Sequence, residues 1–139
     1  MTEPVVQLMR RYCSNRLVAV GAQAATARLL KRCRRGHDPE CVDAAVSRLL
    51  AAGFTPQVDY ICGLPGETDA DRRALVAQVE RLVARRARVL LHRFAPLPGS
   101  TWSEEKPTPL DPDFRDRLRP LLQGGLVIGD RHQLSDEND

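Results

Sequence analysis

The chain of 139 residues is 42% hydrophobic and 28% charged and carries a formal net charge of +3, which is enough apolar content for one ordinary domain with a buried core. No stretch approaches the roughly 18 apolar residues that a membrane span needs, and Met1-Thr2-Glu3-Pro4 lacks the charged-then-apolar pattern of a secretory signal, so a cytoplasmic protein is expected. The small positive excess is nearly all arginine and calls for no nucleic-acid partner.

Residues 4–12, with Val5, Val6, Leu8 and Met9, predict a helix leading into a first strand. Three short runs rich in valine, isoleucine and leucine, at 17–20, 58–62 and 89–91, read as buried strands. Between the first two lie a short helix at about 26–34 and a second one opened by Asp38-Pro39-Glu40. Val42, Ala45, Val46, Leu49 and Leu50 share one face of the second helix, and Gly53 stops it. Between strands two and three, Thr68 and Asp71 have capping-box spacing ahead of Leu75, Val76, Val79, Leu82 and Val83 at helical period. Strand, helical crossover and strand, repeated, is the signature of an α/β fold with a parallel sheet.

The segment 96–112 is proline-rich and without period, hence loop. Asp111-Pro112 opens a last helix carrying Phe114, Leu118, Leu121 and Leu122, which Pro120 should bend or end. Gly124-Gly125 precedes a small apolar run, Leu126-Val127-Ile128, and residues 135–139 form a polar tail.

The four cysteines, Cys13, Cys33, Cys41 and Cys62, contain no CxxC or CxxxC pair, so no metal site built from this chain alone is expected, and Cys62 reads as a small buried hydrophobe in its strand. Parallel α/β folds bind ligands at the carboxyl ends of their strands. Three segments fall there: Gly21-Ala22-Gln23, Gly63-Leu64-Pro65-Gly66-Glu67-Thr68, and the stretch from His92 through Phe94, Ala95, Pro96 and Leu97 to Ser100. The residues offer backbone groups at strand ends, one amide, one carboxylate and an apolar wall at Ile61, Leu64 and Phe94. Glu67 and Thr68 also suit a plain helix start. His92 points from a strand end toward the mouth and is the one candidate acid or base, while His37 reads as a loop residue packing locally. Trp102 either flanks a substrate or covers the edge of the fold, and the run Lys31-Arg32-Cys33-Arg34-Arg35 reads as a solvated helix end or a phosphate contact.

In order, Val18-Ala19-Val20-Gly21-Ala22-Gln23, Arg34-Arg35-Gly36-His37, Ala52-Gly53-Phe54, the run from Val58 through Cys62-Gly63-Leu64-Pro65-Gly66-Glu67 to Thr68, and Phe94-Ala95-Pro96-Leu97-Pro98-Gly99-Ser100 resemble radical S-adenosylmethionine (SAM) enzymes. The likeness is closest to the cobalamin-binding-domain group and is shared with methylthiotransferases. It covers residues 18–102 well and 124–133 loosely. It implies the C-terminal half of a partial (β/α) TIM-like barrel with about three parallel strands, over residues 1–102, then a proline-rich loop, terminal helix and tail over 103–139. SAM is the implied cofactor, with Gln23, Ile61, Gly63, Leu64, Pro65, Gly66, Glu67, Phe94 and Pro96 as its contacts. Full-length members add a [4Fe-4S] cluster and in some cases cobalamin.

Two features depart from the family: Ala24-Ala25 stands where a serine and a small residue are usual, and the CxxxCxxC cluster motif is not in this sequence. The resemblance therefore implies a chain inactive by itself that works with a complementary N-terminal half-barrel, or self-associates, on a small-molecule substrate. A non-catalytic, nucleoside-binding remnant and a tRNA-modifying methylthiotransferase-like fragment are the other readings. A half-barrel is expected to leave the strand at 17–20 with an open edge, and the faces of Val58, Tyr60, Cys62, Val89 and Leu91 without an opposite wall.

Overall fold

The computed structural model describes residues 1–129 and Leu134; the tail at 135–139 and positions 130–133 of the loosely matching segment lie outside the described residues. Helix α1 (Glu3–Tyr12) leads to β1 (Leu17–Gln23), α2 (Ala27–Arg32), α3 (Pro39–Ala51), β2 (Thr55–Cys62), α4 (Asp69–Ala84), β3 (Arg88–Arg93), α5 (Pro112–Gln123) and β4 (Val127–Gly129). The strands pair in the order β1-β2-β3-β4, all parallel. Four described strands thus stand where three were expected. The run at 126–128 is too brief to declare a period, and pairing with β3, Val89 to Val127 and Leu91 to Gly129, makes it a strand.

The helix boundaries follow local chemistry. Asp38 caps α3 by accepting from the Cys41 N–H at 2.9 Å. Gly53, at φ +82°, closes that helix while Phe54 N–H bonds back to the Leu49 carbonyl at 2.9 Å. Thr68 and Asp71 form the reciprocal capping box of α4. Asp111 caps α5 through the Phe114 N–H at 2.8 Å. Pro120 does not end α5, which runs on to Gln123; its exposed ring leaves the helix one N–H donor short.

Val58, Tyr60, Cys62, Val89, Leu91 and Val127 are all buried on the face that α3, α4 and α5 cover. This corrects the expectation that the first five lack a wall. In β2 the burial alternates, and the face left half-exposed is that of Gln57, Asp59 and Ile61. A run apolar at nearly every position carries no mark of which face meets the helices. Leu110, Phe114, Leu118 and Val127 share this core with the residues of β2 and α4, so the segment beyond residue 102 packs into the same body. β1 lies at the sheet's edge as expected, and Val6 of α1 is fully buried with Leu49 and Phe54 beneath it. Among the described residues no helix is long and apolar enough to cross a membrane.

Candidate functional site

At the carboxyl end of β1 the pairing register with β2 shifts between Gly21 and Gln23. Gln23 takes the left-handed conformation, φ +69°, which a non-glycine residue adopts only where its surroundings hold it. Its amide folds back over Gly21, where an added Cβ would lie 3.1 Å from Nε2. The buried Ala22 carbonyl between them meets His37 Nε2 at 3.1 Å, so His37 ties the loop before α3 to the strand end.

The loop after β2 is closed on itself. Gly63, at φ +75°, donates its N–H to Glu67 Oε2 at 3.0 Å, and its carbonyl accepts from the Thr108 N–H at 2.9 Å. The Leu64 carbonyl accepts from the Glu67 N–H at 2.9 Å and from Thr108 Oγ1 at 2.7 Å. These strand-end backbone groups are therefore bonded within the loop and to Thr108, where the sequence had offered them to a ligand. Glu67 is 7% exposed, with Arg72 at 3.7 Å. Burial pushes its carboxyl up to about 7, against the pull of the Gly63 N–H and Arg72. Asp71 goes the other way: burial alone would raise it, but hydrogen bonds from Arg28, Thr26 and Thr68 hold it down to about 2.

At the end of β3, Arg93 lies over Gly63, where a Cβ would meet Nη1 at 1.6 Å, and donates to the Thr108 carbonyl at 2.8 Å. Phe94 packs edge-on to Trp102 with ring centres 5.8 Å apart. Phe94, Leu64, Leu29, Leu30 and Ala24 form a small apolar cluster, with Ile61 and Trp102 against it.

A cleft of about 610 Å³ opens above this cluster. Of the site residues expected from sequence, Gln23, Ile61, Leu64, His92 and Phe94 line it together. Of the other predicted contacts, Gly63, Pro65, Gly66 and Glu67 shape the loop behind Leu64, and the exposed Pro96 lies off the lining. Asp59, Arg93 and Leu97, which belong to the strand-end segments without being singled out as contacts, also line the cleft, as do Trp102, Arg32, Arg34 and Arg35, for each of which the sequence allows two readings. The alternation within β2 would have put Asp59 beside Ile61. Arg93 follows His92 at the same strand end, but nothing in the pattern signals its bond to Thr108.

The four cysteines are dispersed: Cys13 and Cys41 exposed, Cys33 half-buried at the cleft, Cys62 buried with its thiol pushed up to about 12, chiefly by burial. Among the described residues no three His, Cys, Asp or Glu side chains come together to hold a metal ion. The described residues, with their four cysteines apart, do not fit an iron-sulfur cluster.

A family model described as the radical SAM superfamily matches residues 1–79, a stretch that includes β1, β2 and the Gly63–Glu67 loop. An uncharacterized protein of Methanopyrus kandleri is 26% identical over 110 residues, 78% of this chain and 21% of its own length. The ribosomal protein uS12 methylthiotransferase RimO of an Anaeromyxobacter species is 33% identical over 106 residues, 73% of this chain and 22% of its own. The chain spans about a fifth of the length of these curated relatives. Matched over more than half its residues and built as parallel strands with helical crossovers and a cleft at their carboxyl ends, the chain belongs to the radical SAM superfamily.

Proposed function

We propose that the cleft receives the adenosyl end of SAM, and that this chain serves in a radical SAM enzyme whose [4Fe-4S] cluster is held by a complementary N-terminal half-barrel. The observation that carries the reading is the meeting of an apolar wall, Ile61, Leu64, Phe94 and Trp102, with the Gln23 amide at the carboxyl ends of adjacent parallel strands. The wall suits a purine. The amide, both donor and acceptor, suits a ribose hydroxyl.

In this superfamily SAM supplies a 5′-deoxyadenosyl radical; the residues here orient the nucleoside and keep water from it. Gly63, Pro65, Gly66 and Glu67 act as the scaffold that holds Leu64 against the ligand, and Pro96 begins the segment that carries Trp102. His92, exposed at the open side of the cleft, faces the substrate and is the candidate acid or base. The outer edge of β1, which no described strand pairs, supports the complementary half as partner. The 33% identity to RimO favours a methylthiotransferase-type reaction as a second reading. That relative's name points to ribosomal protein uS12, so it does not favour tRNA.

Trp102 is the one tryptophan of the sequence, which makes the cleft optically addressable. Titration with SAM should give a saturable change in tryptophan emission that 5′-deoxyadenosine reproduces. No change up to about millimolar ligand, the weakest affinity worth calling a site, would contradict the reading.

A further inference from the structure

The cleft has a second side, chemically unlike the nucleoside wall. Arg32, Arg34 and Arg35 line it. Among the described residues these three have no carboxylate partner; other arginines, such as Arg48 and Arg86, share that lack, but they do not line the cleft. The one carboxylate on the lining, Asp59, faces Gln57 Nε2 at 3.4 Å.

The backbone that carries the three exposed arginines is held in place. At the start of α2, Thr26 bonds Asp71 at 2.6 Å and Arg28 pairs with the same carboxylate, while Leu29 and Leu30 are buried. The Arg32 guanidinium lies over Gly66, where a Cβ would meet Nη2 at 2.9 Å. Arg34 sits at φ +53° where α2 closes, its N–H on the Lys31 carbonyl at 3.1 Å and the Arg35 N–H on the Leu30 carbonyl at 2.9 Å. The helix dipole accounts for basic residues in the last turn of α2. It does not account for Arg34 and Arg35, which lie past the helix and on the cleft.

A carboxylate is matched by one bidentate guanidinium, while a phosphate group has three oxygens and nearly two charges to share among several. A concave cleft of this size beside an apolar wall suits a small molecule better than a polymer. We propose that the arginine side of the cleft takes the phosphate group of a small-molecule substrate, seated beside the nucleoside wall. The inference rests on reading the cleft as the ligand mouth and adds the substrate's chemical class.

The test uses the purified chain, inorganic phosphate and adenosine as separate probes, and a matched pair of variants. Arg34→Gly and Arg86→Gly both replace an arginine at positive φ with the residue that tolerates it, Arg86 lying at the end of α4 before β3 begins. Both should melt no lower than the parent. Only Arg34→Gly should weaken phosphate, by about tenfold, the scale of one charge-assisted hydrogen bond, and Arg35→Gln should do the same. Equal weakening by Arg34→Gly and Arg86→Gly, or none by Arg34→Gly, would overturn the proposal. So would acetate competing as strongly as phosphate, which would assign the arginines to the carboxylate of SAM itself, or an oligonucleotide binding far more tightly than phosphate. Adenosine, read at Trp102, should bind Arg34→Gly as it binds the parent. Phosphate binding without adenosine binding would sink the nucleoside reading and leave the arginine site standing.

Discussion

The loop behind Leu64 depends on a glycine in a way that substitution can isolate. In Gly63→Ala the new Cβ would sit 1.6 Å from Arg93 Nη1 and 2.8 Å from the Thr108 carbonyl oxygen, at φ +75°. The left-handed backbone costs about 1 kcal/mol for a residue with a Cβ. Moving Arg93 off Thr108 forfeits a hydrogen bond to a charged group, about 1.5 kcal/mol or more. The backbone oxygen cannot step aside as a side chain can, because the Thr108 N–H and Oγ1 are both bonded across to the Gly63–Leu64 turn. The sum is about 3 kcal/mol, or about 10 °C in Tm for a domain of this size. Gly99→Ala is the control: its φ is +78°, but nothing lies within 4 Å of the added Cβ, so it should lose only the backbone share, about 1 kcal/mol. Paired urea titrations measure the difference. Equal losses in the two variants would refute the argument that Arg93 and Thr108 are locked over Gly63.

Glu67 is buried with its carboxyl raised to about 7 from 4.5, so its contribution to stability is fully present below about pH 4.5 and lost as pH rises through 7. The loss is about 3 kcal/mol; Glu67→Gln, which still accepts from the Gly63 N–H, should flatten that part of the pH profile, and an unaltered profile would count against the buried charge. Asp71→Ala takes the shared partner from Thr26, Arg28 and Thr68 and should cost about 2 to 4 kcal/mol in denaturant unfolding. A loss under about 0.5 kcal/mol, the level of an ordinary surface change, would mean that the link between α2 and α4 is dispensable. The edge of β1 should drive association at micromolar concentration, and Ala19→Lys, a charge on the exposed face of that strand, should suppress it. Sedimentation showing the parent already monomeric would contradict this.

Most of the fold was readable because its signals are local. Asp38, Thr68 and Asp111 each cap a helix through the N–H three residues on, and such spacing stands in the sequence as it stands in space. The apolar runs gave the strands, but not their faces: which of Val58 or Asp59 meets the helices is decided by packing from elements far along the chain. β4 escaped because a three-residue strand exists only through its neighbour. At the site, Gln23, Ile61, Leu64, His92 and Phe94 came together as read, since each lies at or beside a strand end. The role of Glu67 turned on a distance of 3.0 Å to Gly63 across a tight turn, and Arg93 on a bond to Thr108 fifteen residues away. Neither geometry has a sequence signature.

A single nucleoside-binding mouth at the carboxyl ends of β1, β2 and β3 is open to direct observation. The most direct measurement is NMR mapping of SAM on the isotope-labelled chain, with Gln23→Gly as a second sample. Glycine relieves the φ of +69° at that position, so fold stability should hold or rise while the amide is lost. If the mouth is one site, shift changes at Gln23, Ile61, Leu64 and Phe94 and the Trp102 indole saturate together, with affinity about tenfold lower in Gln23→Gly. Saturable changes confined to the α5 surface around Arg115 and Arg119, or affinity indifferent to Gln23→Gly, would contradict it.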